Sequence, residues 1–476
     1  MIINLKSVSI ENFKRIKNLS VDLSQLTLLI GPNGCGKSNI MEAISLAFEA
    51  VNYRDPSDNP FMKYWGFTNV VTDQESDQLI SISFKFNVGS YKVEYGMKVT
   101  GIGGKFKFVE ELISVYKCME IRRIGRIVKV NYDKNYINLI ETHRDDIMKE
   151  LDQIPFFKGV KIDIAKEGED INDIDESISI LQLAFGSPLF LSFQMNKIKV
   201  GSHNIRLRIL PGIDGKNEIR ILPVPGLSLE HINNQTEIKN VKRSRMPETD
   251  VIETIRSFFL NESDYSIIVS TWNMARKMIF LRHDYIYQMK QSVPINLQIN
   301  KNIGGKEALI WLYKKYNEEG KIPDRISSAI DSLFPGWSVQ FRITEDGNVI
   351  LLARRPDESG NILPWLPVSL PDGFFKLLLI MIFIEMKPSI LMIDEIENSL
   401  HYRIIDYIMD SLRDSGIPVI LTSHSPLVID RAHLSEVKVL MNENGHSEIE
   451  NVSNPKNLAE ILLKEGITPS DYYLYS

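Results

Sequence analysis

The stretch "GPNGCGKSNI", residues 31–40, decides the fold of this chain. It follows an apolar run, "LTLLI" at 26–30, and opens a segment whose apolar residues recur at helical spacing as far as Val51. A strand, a glycine-rich turn and a helix, with the spacing G-x-x-x-x-G-K-[ST], are typical of a loop whose main-chain N–H groups converge on phosphate oxygens. We therefore predict that ATP and Mg²⁺ are bound by a loop that contains Gly31, Asn33, Gly34, Cys35, Gly36, Lys37, Ser38 and Asn39.

Two side chains of this loop have separate expected roles, and a second segment completes the site. Lys37 supplies positive charge to the β- and γ-phosphates, and Ser38 supplies a hydroxyl to Mg²⁺. The segment "SILMIDE" at 389–395 has four apolar residues, too few for a helix, and ends in two acids, as expected for a buried parallel strand. Asp394 is expected to hold Mg²⁺ through its water shell, and Glu395 to orient or deprotonate the attacking water.

A third strand is predicted at 419–423, "VILTS", directly before His424. Open α/β sheets keep their ligands at the carboxyl ends of their strands. Because a phosphate loop is also predicted, a γ-phosphate contact is favoured for His424 over the role of an ordinary hydrogen-bonded loop residue. Between the second and third strands, apolar residues from Ile404 to Leu412 recur at helical spacing, and Gly416 is expected to end that helix.

Composition places the chain among globular proteins of a reducing compartment. Its 476 residues are 43% hydrophobic and 24% charged, and it has two cysteines, too few for a disulfide framework or a four-cysteine zinc site. The longest apolar run, 377–384, is too short to cross a bilayer and predicts a buried helix. We therefore expect a cytoplasmic protein without a membrane partner. A net charge of -6 argues against a wholesale nucleic-acid coat.

Local basic clusters in the middle of the chain nevertheless leave contact with DNA or RNA open beside the alternative of a solvated face. Residues 80–110 alternate in polarity, which predicts antiparallel strands with turns at Gly89 and around Gly101. Residues 111–300 mix helical and strand-like segments without a repeat or a long heptad pattern. The basic residues form three groups there: Arg122, Arg123, Arg126 and Lys129; Lys197, Lys199, Arg206 and Arg208; Lys239, Lys242, Arg243 and Arg245.

Four motifs together carry a family likeness. Phe13 and Lys14 after a strand, the loop at 31–38, "LMIDEIENSLH" at 391–401 and "LTSHSPLVID" at 421–430 resemble an ABC-type ATPase of the RecF/SMC class. More narrowly, the chain resembles the stand-alone AAA-domain ATPases related to the OLD (overcoming lysogenisation defect) family. Several of those act in prokaryotic defence against phage or in DNA repair. The resemblance covers the first 110 and the last 175 residues.

The resemblance implies an α/β fold: an ABC-type P-loop ATPase head, with a mixed sheet, flanking helices and an antiparallel β subdomain, and a large α+β insertion. Residues 1–110 would form the N-terminal part of the head with the phosphate loop. Residues 111–300 would be the insertion, a candidate region for binding nucleic acid or a partner. Residues 301–476 would form the C-terminal part of the head. The chain ends about fifty residues beyond His424, where we expect no nuclease domain to follow.

Carried over by motif, Lys37 and Ser38 bind phosphate and Mg²⁺, Asp394 is the second metal ligand, Glu395 the catalytic base and His424 the switch histidine. The catalytic set is therefore Glu395, His424 and Lys37. The resemblance also implies that residues 398–401 form the loop that crosses a dimer interface. Three glutamines remain open as the Q-loop glutamine of this class: Gln74, Gln78 and Gln194.

Two further groups are implied to bind the nucleotide. Lys14 and Arg15 stand where this class reaches the ribose or the phosphates. A signature loop from a second subunit should cap the γ-phosphate, and "SLPDGF" at 369–374 is the candidate, with Ser369 and Gly373 as its nucleotide-binding residues. This loop departs from the usual L-S-G-G or L-S-D-G pattern because Pro371 stands where the serine belongs. Slow hydrolysis or strong dependence on a partner is therefore expected.

The leading functional hypothesis is an ATPase that forms a homodimer or higher homo-oligomer on ATP. It would act on DNA or control a separate effector protein, a nuclease or toxin, in anti-phage defence or DNA repair. The alternative is a nucleotide-gated scaffold that holds a partner protein with negligible ATP turnover. A third hypothesis, the nucleotide-binding domain of a membrane transporter, shares the phosphate loop but normally has a shorter chain and an intact signature.

Overall fold

The computed structural model describes most of the chain outside its middle. The described residues are 3–53, 59–75, 77–88, 91–116, 119–132, 161–164, 169–171, 175–181, 193–194, 198–200, 203–211, 218–224, 277–299, 303–356, 362–450 and 455–475. In this part of the chain, no helix combines the length and the hydropathy that crossing a bilayer requires.

A six-stranded sheet forms the centre of the fold, and its order is β15-β20-β21-β3-β22-β23. Its members are β3 (Leu26–Ile30), β15 (Met278–Leu281), β20 (Ile390–Ile393), β21 (Val419–Thr422), β22 (Val437–Glu443) and β23 (His446–Glu450). All neighbours are parallel except β22 and β23, which are antiparallel. Every residue of β3, β20 and β21 is buried, as expected for parallel strands covered on both faces.

An antiparallel sheet of eight strands packs on one side of this centre, in the order β10-β8-β7-β6-β5-β4-β1-β2. Its strands are β1 (Ile3–Phe13), β2 (Ile16–Asp22), β4 (Ile80–Val88), β5 (Tyr91–Thr100), β6 (Lys107–Val115), β7 (Met119–Ile124), β8 (Ile127–Tyr132) and β10 (Glu169–Ile171). Strand β4 alternates between fully and partly buried residues, as a half-covered sheet requires. The strands and the turn around Gly101 that the alternating pattern of 80–110 predicts are confirmed; the turn at Gly89 lies outside the described residues.

Two smaller sheets complete the strands. One contains β9 (Lys161–Ile164), β11 (Phe193–Gln194), β12 (Ile198–Val200), β13 (His203–Pro211) and β14 (Glu218–Val224). The other contains β16 (Val293–Pro294), β17 (Ser338–Ile343), β18 (Asn348–Pro356) and β19 (Ile362–Trp365). Side chains of β19 are exposed throughout.

The described helices are α1 (Lys37–Asn52), α2 (Asp284–Met289), α3 (Gly305–Glu319), α4 (Asp324–Leu333), α5 (Asp372–Met386), α6 (Tyr402–Asp414), α7 (Pro426–Arg431), α8 (Pro455–Glu465) and α9 (Pro469–Tyr475). Short 3₁₀ turns lie at Met62–Tyr64, Phe67–Asn69, Thr72–Gln74, Ile102–Gly104 and Pro367–Ser369. Helix α5 contains the buried segment expected at 377–384, and α6 is followed by Gly416 at φ 70°, as its C-terminal signal predicts.

The six-stranded sheet separates two hydrophobic cores. Successive residues of β20 point to opposite faces, so Ile390 and Met392 enter one core while Leu391 and Ile393 enter the other. The first core contains α1 and the eight-stranded sheet, and the second contains α2 to α7. This arrangement, a mixed sheet with flanking helices and an antiparallel β subdomain, confirms the predicted α/β fold class.

The segment 111–300, expected to be an insertion, contributes strands to sheets that also contain strands of the head segments. The division between 110 and 111 falls inside β6, and β15, from the segment 111–300, is the edge strand of the central sheet beside β20. Three strands of the predicted insertion, β7, β8 and β10, extend the eight-stranded sheet. Both sheets thus draw strands from the segment 111–300.

In the basic cluster of that segment that contains Arg123, one side chain is buried and the other three are exposed. Arg123 is fully buried, and its Nη1 lies 3.0 Å from Glu111 Oε2, so Arg123 is not available to nucleic acid. Arg122, Arg126 and Lys129 are exposed. The side chains of the other two clusters lie outside the described part of the chain.

Glu111 accepts hydrogen bonds from four donors: Tyr95 Oη, Ser179 Oγ, Ile180 N and Arg123 Nη1. The variant Glu111→Ala is expected to lower the free energy of unfolding by about 3–5 kcal/mol, because it leaves the guanidinium of Arg123 buried without its counter-charge. Urea unfolding followed by circular dichroism measures this loss.

The matched control is Glu110→Ala on the same strand. Glu110 pairs with Lys98 at 3.1 Å, but both side chains are 42% exposed, so its loss should cost less than about 1 kcal/mol. Equal unfolding free energies for the two variants would show that the buried pair contributes no more than a surface pair.

Candidate active site

The tertiary structure brings the phosphate loop to the acidic end of β20. Ser38 Oγ donates to both carboxylate oxygens of Asp394, at 3.1 and 3.0 Å. Strand β21 lies between β3 and β20, and the three parallel strands are in register, with Thr422 opposite Leu29. Their carboxyl ends therefore meet at one edge of the sheet, which is where the loop between β3 and α1 also lies.

The loop is held in shape by its own lysine and by a close backbone contact. Lys37 is 6% exposed, and its Nζ donates to the carbonyl oxygens of Gly31 at 2.9 Å and Pro32 at 3.0 Å. Gly31 has φ 141°, and a Cβ there would lie 2.1 Å from the carbonyl oxygen of Leu440 in β22. Only glycine fits at this position, because the obstacle is main chain of a central strand.

Thr422 at the end of β21 fixes the orientation of Asp394. Its hydroxyl donates to Asp394 Oδ1 at 2.5 Å and accepts from the main-chain N–H of Glu395 at 2.7 Å. A serine hydroxyl and a carboxylate are the hard oxygen ligands that Mg²⁺ takes, usually with only one or two carboxylates and several waters. The residues present therefore fit Mg²⁺. In the described part of the chain, no group of three or more His, Cys, Asp or Glu residues is placed to hold a metal ion by itself.

Glu395 begins a tight turn directly after β20. Its φ is 48°, in the left-handed region, its side chain is exposed, and Asn398 Nδ2 donates to its carboxylate. Such a backbone conformation is uncommon for a residue other than glycine and occurs often at functional sites. Asn398 thus holds the carboxylate of Glu395, whereas Ser38 and Thr422 hold that of Asp394.

Lys376 of α5, which lies outside the motifs, holds this turn by two hydrogen bonds. Its Nζ donates to the carbonyl oxygens of Glu395 at 2.8 Å and Asn398 at 3.0 Å. Burial lowers the pKa of the Lys376 ammonium to about 8, against the opposing effect of the nearby carboxylates of Glu397, Glu395 and Asp394. A single lysine inside an otherwise apolar helix is the sequence signal that could have identified it.

His424 lies at the carboxyl end of β21, as the strand pattern predicts, and is half-buried. Its main-chain N–H donates to Glu397 Oε1 at 2.7 Å. This bond joins the end of β21 to the segment that follows β20. The two segments that carry Glu395 and His424 are therefore fixed to each other.

Lys14 and Arg15 lie in the turn between β1 and β2, next to the phosphate loop. Lys14 has φ 53°, pairs with Glu42 of α1, and places its Nζ 4.9 Å from the ring centre of Tyr64. Arg15 Nη1 donates to the carbonyl oxygen of Gly34 at 2.9 Å. Both cations are thus next to the loop, and Lys14 also lines the cavity that contains Asp394.

That cavity has a volume of about 430 Å³ and extends from Asp394 and Glu395 towards α1 and the end of β15. The end of β15 contributes Arg282 and His283, which the motif comparison does not include. Their signal in the sequence is the same as that of the acidic strand: four apolar residues followed directly by charge, here "MIFLRH" at 278–283. Arg282 therefore adds positive charge to the lining of this cavity.

The signature-like loop lies apart from this cavity's lining. Ser369 is exposed at the end of a 3₁₀ turn, and Gly373 is buried in the first turn of α5. A Cβ on Gly373 would lie 2.5 Å from the carbonyl oxygen of Ser399, so glycine is needed here for packing within the chain. A contact of either residue with a nucleotide held by a second copy stays a prediction.

The three glutamine candidates are placed differently. Gln74 has φ 58° and lines a second cavity together with Lys14 and Arg15. Gln78 donates through its amide to the carboxylate of Glu75. The side chain of Gln194 lies outside the described part of the chain.

Two family models and several known proteins are similar to this chain. The family model described as "AAA ATPase domain" matches residues 1–209, and the model described as "AAA domain, putative AbiEii toxin, Type IV TA system" matches residues 233–430. Among solved structures, an Smc head bound to the C-winged helix domain of ScpA covers 95% of this chain and 99% of that chain, at 12% identity and a TM-score of 0.44.

Curated relatives match over shorter segments. The DNA replication and repair protein RecF of Leptospira interrogans is 30% identical over 118 residues, which are 21% of this chain and 31% of that protein. Structural maintenance of chromosomes protein 1B of Homo sapiens is 27% identical over 187 residues, 38% of this chain and 14% of that protein. The chain thus spans about a third or less of the length of these relatives.

The two AAA models leave only residues 210–232 and 431–476 unmatched. The first covers the phosphate loop, and the second covers the acidic strand. The RecF and SMC relatives belong to the class that the four motifs resemble. The comparisons therefore support an ABC-type P-loop ATPase of the RecF and SMC class.

Proposed function

We propose that the chain binds ATP with Mg²⁺ and hydrolyses it. The observation that carries this proposal is the contact between Ser38 and Asp394, 3.0 Å apart, which joins the phosphate loop to the acidic end of β20. Lys37 would exchange its loop carbonyl partners for the β- and γ-phosphates, and Ser38 and Asp394 would hold Mg²⁺. A bound Mg²⁺ supplies charge that stabilises the transferring phosphoryl group.

Glu395 is the proposed general base. Its carboxylate is exposed at the cavity, it accepts from Asn398, and it is not the partner of Ser38. It would orient the attacking water and take its proton. His424, at the end of the neighbouring strand, would contact the γ-phosphate. Lys14 and Arg15 would reach the ribose or phosphates from the β1–β2 turn.

The proposal includes an ATP-dependent homodimer or higher homo-oligomer, in which Ser369 and Gly373 of one copy approach the γ-phosphate held by the other. Ser369 is exposed. Helix α5 is fifteen residues long and begins at this loop, so the positive end of its dipole lies there. Sedimentation velocity with ATP and Mg²⁺, with ADP and Mg²⁺, and with EDTA tests this step. Only the first condition should raise the molecular mass, and a chain that stays monomeric with MgATP would contradict it.

The task that hydrolysis drives is proposed to be action on DNA or control of a separate nuclease or toxin, in anti-phage defence or DNA repair, as in ATPases related to the OLD family. The name of the RecF relative, DNA replication and repair protein, supports action on DNA. The description of the second family model, putative AbiEii toxin, supports control of a toxin. Exposed Arg122 on β7, Arg126 in the turn between β7 and β8, and Lys129 on β8 are suited to phosphate contact. A pull-down with a non-hydrolysable ATP analogue, followed by identification of co-purifying protein and nucleic acid, distinguishes action on DNA from control of a separate effector.

A second function is favoured by one feature. Pro371 stands in place of the signature serine and is the N-cap of α5, so the loop lacks the hydroxyl that would cap a γ-phosphate. A nucleotide-gated scaffold that holds a partner protein with negligible turnover would tolerate this. Brisk steady-state phosphate release by the parent that disappears in Lys37→Ala would exclude the scaffold.

A further inference from the structure

Helix α5, Asp372–Met386, contains one lysine in its buried stretch. Lys376 is 5% exposed and stands between Phe375 and Leu377, which are also buried. Taking an ammonium out of water is costly unless hydrogen bonds replace the lost hydration. A buried lysine here therefore calls for a physical reason beyond packing, since an apolar residue would fill the same space.

The hydrogen bonds of Lys376 supply that reason. Its Nζ donates to two main-chain carbonyl oxygens, of Glu395 and Asn398, rather than to a carboxylate. These carbonyls belong to one turn, closed by the bond from Asn398 N to Glu395 O at 3.1 Å. The same turn holds Glu395 at φ 48° and directs the amide of Asn398 to the Glu395 carboxylate. Lys376 thus holds the main chain that orients the proposed base.

The first turn of α5 contacts the same segment at a second point. Gly373 lies so close to the carbonyl oxygen of Ser399 that a Cβ would be 2.5 Å from it. On the other side, Lys290 Nζ donates to the carbonyl oxygen of Leu370 at 3.1 Å and to Asp372 Oδ1 at 2.6 Å. The signature-like loop, the start of α5 and the turn at 395–399 are therefore connected by direct contacts.

We propose that Lys376 is a positioning residue for hydrolysis: it ties the turn that carries Glu395 to helix α5, so that the orientation of the base depends on the position of the signature-like loop. This inference rests on the proposed ATPase function and adds to it a route for its regulation. A partner that binds at residues 369–373 and moves α5 would change the turn directly. The hydrogen bonds of Lys376 go to the main chain of the catalytic turn, at the cavity that Asp394 and Glu395 also line.

The test compares Lys376→Met with the parent in three measurements. We expect kcat for ATP hydrolysis to fall by about 100-fold, because a displacement of a reacting group by about 1 Å can cost that much. Binding of a fluorescent ATP analogue with Mg²⁺ should stay within about threefold of the parent, since the variant leaves Lys37, Ser38 and Asp394 untouched. The melting temperature should be unchanged or higher, because replacing a buried charge by an apolar side chain of similar size is often neutral or stabilising.

A double-mutant cycle with Glu395→Gln separates positioning from any general effect. If Lys376 acts through Glu395, adding Lys376→Met to Glu395→Gln should change kcat by less than about twofold, whereas independent effects would multiply. Lys387→Met, at the exposed C-terminal end of α5, is the matched control and should keep the parental kcat.

Three outcomes would overturn the inference alone, with the ATPase function intact: parental kcat in Lys376→Met, multiplication of the two losses in the double variant, or a fall of more than about 10 °C in melting temperature, which would assign Lys376 to the stability of the fold. A parent chain that binds MgATP but releases no phosphate would overturn the proposed function, and this inference with it. The parental measurement therefore tells the two failures apart.

Discussion

Replacing Glu395 with glutamine is expected to lower kcat for ATP hydrolysis by about 1000-fold while MgATP binding stays close to that of the parent. The amide keeps the size of the side chain and its contact with Asn398, but it cannot take a proton from water. The contact between Ser38 and Asp394 does not involve Glu395, so the proposed metal site is preserved. Phosphate release and titration with a fluorescent ATP analogue measure the two quantities.

The same variant should accumulate the ATP-bound dimer, since the step that separates the copies is removed. Sedimentation of Glu395→Gln with ATP and Mg²⁺ should show the dimer as the main species. Glu318→Gln is the matched control, because Glu318 lies on α3 with its side chain 63% exposed and should behave as the parent. A Glu395→Gln variant with parental turnover, or one that stays monomeric with MgATP, would contradict the mechanism.

The variant Lys37→Ala is expected to raise the Kd for MgATP by at least about 100-fold. Hydrogen bonds from a charged group contribute about 1.5–3 kcal/mol each, and loss of two of them corresponds to a factor of about 100 or more in affinity. Lys37 already places its Nζ within 3.0 Å of two carbonyl oxygens of the loop, so its side chain lies where a phosphate held by the loop would meet it. Isothermal titration calorimetry measures the change.

The control for this experiment is Lys17→Ala, because Lys17 is exposed on β2 and lies outside the loop. Its Kd for MgATP should equal that of the parent. The melting temperature of Lys37→Ala must also be measured, since the carbonyl oxygens of Gly31 and Pro32 lose a donor. Unchanged affinity in a folded Lys37→Ala variant would show that the loop does not bind phosphate in the proposed way.

The central strands were predictable from the sequence because parallel strands covered on both faces appear as short, continuous apolar runs. Strands β3, β20 and β21 all show this pattern. Strand β3 leads into the glycine-rich loop, and β20 and β21 lead into polar residues at the sheet edge. Their order was not predictable. Strand β21 lies between β3 and β20, and pairing of strands that are hundreds of residues apart depends on the packing of the whole sheet.

The place of strand β15 in the central sheet was not predictable from the sequence either. Its four residues, Met278–Leu281, resemble many apolar runs, and they lie in a segment that the sequence comparison treats as an insertion. Only pairing with β20 makes it an edge strand of the central sheet and brings Arg282 and His283 to the cavity beside Asp394.

The sequence by itself determined the phosphate loop, the acidic end of β20 and the α/β class, because each depends on residue types at fixed local spacing. Only the tertiary structure decided that Ser38 meets Asp394, that Arg123 is buried against Glu111, and that Lys376 holds the turn of Glu395. These contacts join residues far apart in the chain. A hydrogen bond to a main-chain carbonyl, as made by Lys376, requires no particular partner side chain, so the sequence can single out the buried lysine but not its partner.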